Sequence, residues 1–109
     1  MKWMPMGREY AQEEVRAAYK QARPFDHIRV GATMLFARRF LTVYYIPYEE
    51  IEKIHLYAGE AVASDYYTWQ LVVRAVGGQE KRFGVETEDH AMALLRGLKQ
   101  ACPDLPLGK

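Results

Sequence analysis

The side chains that could do chemistry are few and widely spaced in this sequence. Asp26 and His27 are adjacent, His55 and His90 stand apart from them, and Cys102 is the single cysteine. An adjacent acid and histidine could form an acid–base pair, but neighbouring residues of a strand point to opposite faces. A metal site needs three or four convergent ligands, and neither His55 nor His90 has a second histidine or a cysteine at ligand spacing. The sequence therefore predicts no catalytic, cofactor-binding or metal site.

Known catalytic motifs are also missing from the sequence. Cys102 falls at the carboxyl end of a predicted helix, where the helix dipole disfavours the nucleophilic thiolate. There is no glycine-rich phosphate loop, no nucleophile elbow and no zinc-binding spacing. We therefore predict a non-enzymatic protein. Convergence of two among Asp26, His27, His55 and His90 in a cleft would reopen that question.

Two short stretches are candidate partner surfaces. Arg38 and Arg39 could bind an anionic partner, with Arg23 and Arg29 near them, although such a pair can also be a solvated turn. Tyr66-Tyr67 follow a predicted loop, and exposed aromatic side chains mark partner surfaces. The alternative for these tyrosines is cross-strand packing.

The composition limits the class of protein. The chain has 109 residues, 50% hydrophobic and 27% charged, with a formal net charge of +1, which indicates one folded domain without the field that attracts nucleic acid. A single cysteine fits a reducing compartment. No apolar run approaches the roughly 20 residues of a membrane span, and no secretory signal is evident. We therefore expect a soluble cytoplasmic monomer or small oligomer.

The last regular stretch, residues 87–102, predicts an amphipathic helix. Thr87 is a good N-cap, and Pro103 ends the helix because it lacks a backbone donor. The apolar stripe of this helix consists of Ala91, Leu94, Leu95, Leu98 and Ala101. Gly97 lies at the margin of the stripe and could allow close backbone approach. Such a stripe needs a partner surface, which the upstream residues are expected to supply as a sheet.

Residues 1–24 predict an N-terminal helical extension, and residues 25–86 predict antiparallel strands. The extension begins with an irregular lead-in over 1–6, followed by an alanine-rich helix from about Arg8 to Ala22 that packs at the periphery. Period-two alternation then predicts strands at 27–30, 33–37, 41–46, about 52–58, 67–76 and 79–85. Arg38-Arg39 are predicted as a polar break between strands, and Gly77-Gly78 as a type I′ hairpin. Residues 48–53 could instead form a helical turn, and the eight tyrosines indicate a sheet with one wet side.

Three stretches make residues 27 to 102 similar to the pleckstrin-homology-like barrel of bacterial proteins. They are the opening hairpin at 28–36, the run Tyr45-Ile46-Pro47-Tyr48-Glu49-Glu50-Ile51, and the closing hairpin that leads into the helix at Thr87. The resemblance implies an α+β, mostly β fold: a partly open barrel or curved sheet capped by the C-terminal helix. It implies no particular ligand, because such folds host many unrelated roles.

One departure from that family argues against phosphoinositide binding. Phosphoinositide-binding members carry a basic cluster around the first hairpin loop, which here is Gly31-Ala32 with only Arg29 beside it. The leading hypothesis is therefore a non-enzymatic protein-interaction domain, acting through a homodimer, an assembly or another protein partner, without nucleic acid or stable membrane insertion. The alternative is a small-molecule binder that uses the barrel mouth, lined by Trp69, Tyr45 and Phe36.

Overall fold

The computed structural model describes residues 1–58 and 69–107 of the single chain. Eight strands and two helices lie in these ranges, with one 3-10 turn at Tyr48–Glu50. The strands are β1 (Lys2–Pro5), β2 (Arg23–Phe25), β3 (Ile28–Val30), β4 (Met34–Arg39), β5 (Thr42–Pro47), β6 (Ile51–Ala58), β7 (Trp69–Ala75) and β8 (Glu80–Val85). The helices are α1 (Gln12–Gln21) and α2 (Glu88–Ala101).

Sheet A has five strands in the order β1-β5-β4-β3-β2. Strands β2 to β5 are antiparallel, whereas β1 pairs parallel with β5, Trp3 lying opposite Val43. The prediction of an irregular lead-in over residues 1–6 was therefore wrong. A four-residue edge strand carries no clear alternation of its own, so only its pairing with β5 defines it.

Strand β4 extends further than its polar residues suggested. Arg38 pairs with Val43 and Arg39 with Thr42, so the predicted break at Arg38-Arg39 was wrong and the turn lies at Phe40-Leu41. The two arginines occupy the exposed end of the strand, where a polar side chain does not interrupt the backbone ladder.

Sheet B has three antiparallel strands in the order β6-β7-β8. The predicted hairpin between β7 and β8 is present, but not as a type I′ turn. The Ala75 carbonyl accepts from the Gly78 N–H at 2.8 Å, and only Gly78 of the two glycines has positive φ, at 96°. The connection is therefore a three-residue loop, 76–78. Such a loop needs one residue with positive φ, whereas a type I′ turn needs two.

Helix α2 joins the two sheets through the main core. Thr87 Oγ1 caps it by accepting from the His90 N–H at 3.1 Å, as predicted. Ala91, Leu94 and Leu98 are fully buried against residues of both sheets. The sheet A residues in this cluster include Ile28, Val30, Leu35, Ala37 and Ile46, and those of sheet B include Ile54, Leu71, Val73, Phe83 and Val85. The predicted packing of the terminal helix on strands is confirmed.

Helix α1 covers the opposite face of sheet A. Its Val15 is fully buried in a second cluster with Met34, Phe36, Val43 and Tyr45. Sheet A is therefore covered on both faces, and the expectation of one wet side was wrong for this sheet. The reason is visible in β4, where four consecutive residues, 34–37, are buried and no polar face remains. Val15 is the one buried residue of α1, so the expected peripheral packing of this helix is confirmed.

The fold class is α+β and mostly β, with two sheets that do not close into a barrel. The strand predicted from about residue 52 is confirmed, preceded by the 3-10 turn. The loop predicted at 59–65 lies outside the described residues. Neither α1 nor α2 has the length and hydropathy needed to cross a membrane.

Replacing Leu98 by alanine tests the packing of α2. Because this side chain is fully buried between the sheets, L98A should lower the free energy of unfolding by about 2–5 kcal/mol. The matched control L95A, on the half-buried side of the same helix, should lower it by less than about 1 kcal/mol. Denaturant melts give both values, and equal losses would contradict this packing.

Gly97 tests the contact between α2 and β2. A Cβ at this position would lie 2.6 Å from the ring of Phe25, so G97A should not gain the roughly 1 kcal/mol that alanine gives in a helix interior. In the background of F25A the clash is absent, and the same change should stabilise the protein by about that amount. A double-mutant cycle on unfolding free energies measures the difference, and additive effects would exclude the clash.

Candidate functional site

A groove of about 470 Å³ lies where the two sheets meet, and it combines basic and aromatic side chains. It is bounded by the β2–β3 turn, the end of the β4–β5 hairpin and strand β8. The lining residues are His27, Arg38, Arg39, Phe40, Phe83 and Gly84. Half of them carry a basic group, so the groove favours an anionic occupant.

The tip of the β4–β5 hairpin projects an apolar pair beside the groove. Phe40 is 88% exposed and has φ of 60°, and Leu41 is 64% exposed. The turn is fixed from both sides: Arg38 Nε donates to the Phe40 carbonyl at 3.0 Å, and the Lys2 N–H donates to the Leu41 carbonyl at 2.9 Å. Two large apolar side chains are thus held in water by an ordered backbone.

Arg39 connects the hairpin to β8. Its guanidinium donates to the Arg82 carbonyl and lies 5.1 Å from the ring centroid of Phe83 and 5.8 Å from that of Tyr44. Contacts between a cation and an aromatic face within about 6 Å are attractive, and they restrict the side chain. Arg39 is therefore positioned before any partner arrives.

Two further cations stand on the same strand. The ammonium group of Lys81 lies 4.8 Å from the centroid of the Tyr44 ring, and the guanidinium of Arg82 lies 5.7 Å from that of Tyr57. Neighbouring strand residues point to opposite faces, so Arg82 lies on the face away from Lys81 and Phe83. We use the name basic–aromatic patch for the five residues Arg38, Arg39, Phe40, Lys81 and Phe83. Cations and rings alternate across this patch, which suits a ligand that carries both negative charge and apolar groups.

Strand β8 presents an edge to the groove. In the described ranges, 1–58 and 69–107, β7 is its only partner in the sheet. The Arg82 carbonyl points away from β7, since it accepts from Arg39, and Gly84 has the same backbone orientation two residues along. Gly84 lines the groove, so backbone groups are available there to pair with an extended chain.

The sequence-predicted arginines divide into two groups. Arg38 and Arg39 line the groove, as their assignment to a candidate surface required. Arg29 instead donates to the Tyr19 carbonyl at 3.1 Å and stacks on that ring, so it lies on the α1 side of sheet A. Arg23 stacks on Phe25 at 5.1 Å. Tyr66 and Tyr67 lie outside the described residues.

The structure brings together one of the acid–histidine pairs considered from the sequence. Asp26 Oδ2 and His90 Nδ1 are 2.7 Å apart, both on exposed side chains. His27 lines the groove, while His55 lies half-buried on β6. The Asp26–His90 pair lies on the surface, and neither residue is among those that line the groove.

Several site residues escaped prediction. Phe40 was hidden by the expected break at Arg38-Arg39, because the turn was placed two residues too early. Lys81, Arg82 and Gly84 were assigned to a strand, but no local pattern shows that this strand faces the β4–β5 hairpin. Pairing between sequence-distant elements is needed to see the groove.

The three residues expected to line a barrel mouth do not share a cavity. Phe36 and Tyr45 are buried in the cluster under α1, whereas Trp69 packs against the main core. That expectation was wrong because sheet A separates the two clusters.

Comparison of the sequence with protein-family models and with curated proteins gave no match.

Two tyrosine hydroxyls outside the groove, those of Tyr10 and Tyr48, have raised pKa values. The hydrogen bond from Tyr10 to Glu50, at 2.6 Å, raises the pKa of Tyr10. Burial raises the pKa of Tyr48, whose hydroxyl donates to the Gly31 carbonyl at 2.7 Å. Both hydrogen bonds involve residues of the 3-10 turn Tyr48–Glu50, which connects sheet A to sheet B. Neither tyrosine lines the groove.

The Tyr48 hydroxyl predicts alkaline sensitivity of the fold. Because the pKa of Tyr48 is higher in the folded protein, the unfolded chain loses this proton at a lower pH than the folded one. The free energy of unfolding therefore keeps its full value below about pH 10 and decreases as the pH rises above it. Y48F removes this group and should make the fall between about pH 10 and 11 shallower. Denaturant melts at a series of pH values test this, with Y57F, an exposed tyrosine, as the control that should leave the slope unchanged.

Proposed function

We propose that this protein is a non-enzymatic protein-interaction domain of the pleckstrin-homology-like type, and that it binds an extended acidic segment of a partner protein in the groove beside β8. The observation that carries the proposal is Phe40, exposed and in a left-handed conformation between the basic side chains and the groove.

The two-residue turn needs a left-handed residue at position 40, but it does not need a phenylalanine there. A bulky residue at positive φ is strained, by about 1 kcal/mol or more relative to glycine, and its exposed ring buries nothing within the chain. Glycine is the residue that this position of a two-residue turn prefers. A phenylalanine here is explained by a contact with another molecule.

The charge of the patch sets the chemistry of that molecule. Arg38, Arg39 and Lys81 contribute three positive charges, and Arg39 and Lys81 contact the same Tyr44 ring, although the whole chain has a net charge of only +1. Local basic character on a nearly neutral protein favours a short acidic segment over a long polyanion such as nucleic acid.

The edge of β8 sets the conformation of the bound segment. The Arg82 N–H and the backbone groups of Gly84 face away from β7 and can pair with an extended chain, while alternate side chains of that chain reach the basic groups and Phe40. Two packed, mostly antiparallel sheets with a C-terminal helix support the family assignment within this proposal, as do the opening hairpin, the run 45–51 and the closing hairpin. We place the domain in the cytoplasm, consistent with its single cysteine.

The proposal is tested with labelled peptides of alternating acidic and aliphatic residues, compared with peptides in which glutamine replaces each acid. Fluorescence polarisation should show binding of the acidic series only, weakening as salt increases. Amide shifts in NMR spectra should concentrate at Arg82, Gly84 and the 38–41 hairpin tip.

Three variants separate binding from folding. F40G should keep or raise the melting temperature while lowering peptide affinity by about tenfold or more, since it removes the ring and the strain together. R39A should also weaken binding, and R16A, an exposed arginine of α1, should not. Binding to anionic vesicles without peptide binding, self-association through another face, or peptide shifts elsewhere would each contradict the proposal.

A further inference from the structure

A second cluster of functional groups lies beside the groove, at the start of α2. Asp26 is in the β2–β3 turn, Glu86 follows β8, and His90 is in the first turn of the helix. One ligand atom from each lies within 4.8 Å of the others, although 60 residues separate Asp26 from Glu86. Three separate elements thus converge on one point.

The donor set indicates a class of ion. One imidazole nitrogen and two carboxylate oxygens match the ligands of zinc and related divalent transition metals, and three protein ligands leave a position for water. Calcium takes six to eight oxygen ligands, which this cluster does not offer. All three side chains are exposed, so small rotations can bring their donors to the spacing that metal bonds of about 2 Å require.

The surrounding charges favour a cation. Glu88 and Asp89 add two carboxylates in the first turn of α2, just before His90 in the sequence. The positive end of the helix dipole opposes a cation here, so the site depends on its ligands and not on the helix terminus. The carboxylates of Asp26 and Glu86 supply the negative charge that offsets this partial charge.

We propose that Asp26, Glu86 and His90 form a binding site for a divalent transition-metal ion of the zinc class. The ion links the β2–β3 turn, the end of β8 and α2. His27 and Gly84, which line the groove, are close in sequence to Asp26 and Glu86. This site stands independently of the proposed peptide binding.

The simpler reading of the geometry is an ion pair between Asp26 and His90, at 2.7 Å. That pair does not need Glu86, whereas a metal site does. Glu86 therefore distinguishes the two, and its exposed side chain can be changed without disturbing the core.

The test uses the full chain and zinc chloride alone in a calorimetric titration, with cobalt(II) absorption as a second readout. We expect one ion per chain, the visible bands of a low-coordinate cobalt site, and a shift of the His90 ring nitrogens in NMR spectra. E86Q and H90A should each lower zinc affinity by about tenfold or more, because loss of even an outer-shell partner costs that much.

The matched control is E88Q, which removes the same charge from the neighbouring position but lies outside the cluster. It should retain affinity within about threefold, as should H55A and C102S, which remove the alternative zinc ligands His55 and Cys102. Thermal melts without metal establish that E86Q and H90A are folded.

Three outcomes would overturn the site: no zinc binding by the wild-type chain, equal affinity in E86Q and wild type, or loss of binding in C102S or H55A with E86Q unaffected. None of these bears on the peptide experiment, so failure of the metal site and failure of the proposed function are distinguishable.

Discussion

The contact on which this structure depends is the burial of Leu94 and Leu98 between the two sheets. The strands of sheet A and sheet B do not form one closed ladder, so backbone hydrogen bonds alone do not fix the angle between them. Side chains of α2 fill the space where the sheets meet, and both leucines are fully buried there. Because close packing tolerates little change in volume, these residues set the relative position of the sheets.

The shape of the groove depends on that packing, because residues of both sheets line it. One wall comes from the β4–β5 hairpin of sheet A, and the other from β8 of sheet B. Arg39 crosses the junction to reach the Arg82 carbonyl, so the position of its guanidinium also reports how the sheets are arranged. Helix α1 packs on the other face of the same hairpin, where Phe36 and Val43 are buried, while Phe40 at the tip has positive φ.

Opposite charges are segregated along one border of the molecule. The β2–β3 turn contributes His27 to the basic groove and Asp26 to the acidic cluster, and the end of β8 contributes Gly84 and Glu86 in the same way. An acidic segment bound in the groove would be repelled at that end unless a cation or the imidazole of His90 offsets the carboxylates. The hairpin tip thus forms one side of the groove, and residues close in sequence to the acidic cluster form another.

The sequence by itself determined the elements whose signals are local. Thr87 and the leucine stripe define α2, the alternation of β7 and β8 with two glycines between them defines a hairpin, and the absence of assembled motifs predicted no known catalytic site. Local signals nevertheless placed the β4–β5 turn at Arg38-Arg39. Two polar residues in a row predict a turn, but here they are the exposed end of a strand. Pairing decided that the ladder continues to Arg39.

Only the tertiary structure decided which faces are covered and which distant residues meet. The parallel pairing of β1, the burial of Phe36 under α1, and the separation of Tyr45 from Trp69 depend on contacts between residues far apart in the chain. The same is true of the groove and of the cluster formed by Asp26, Glu86 and His90. Periodicity along a chain records which side of an element is apolar, but a site that joins three elements exists only once the core has fixed their positions.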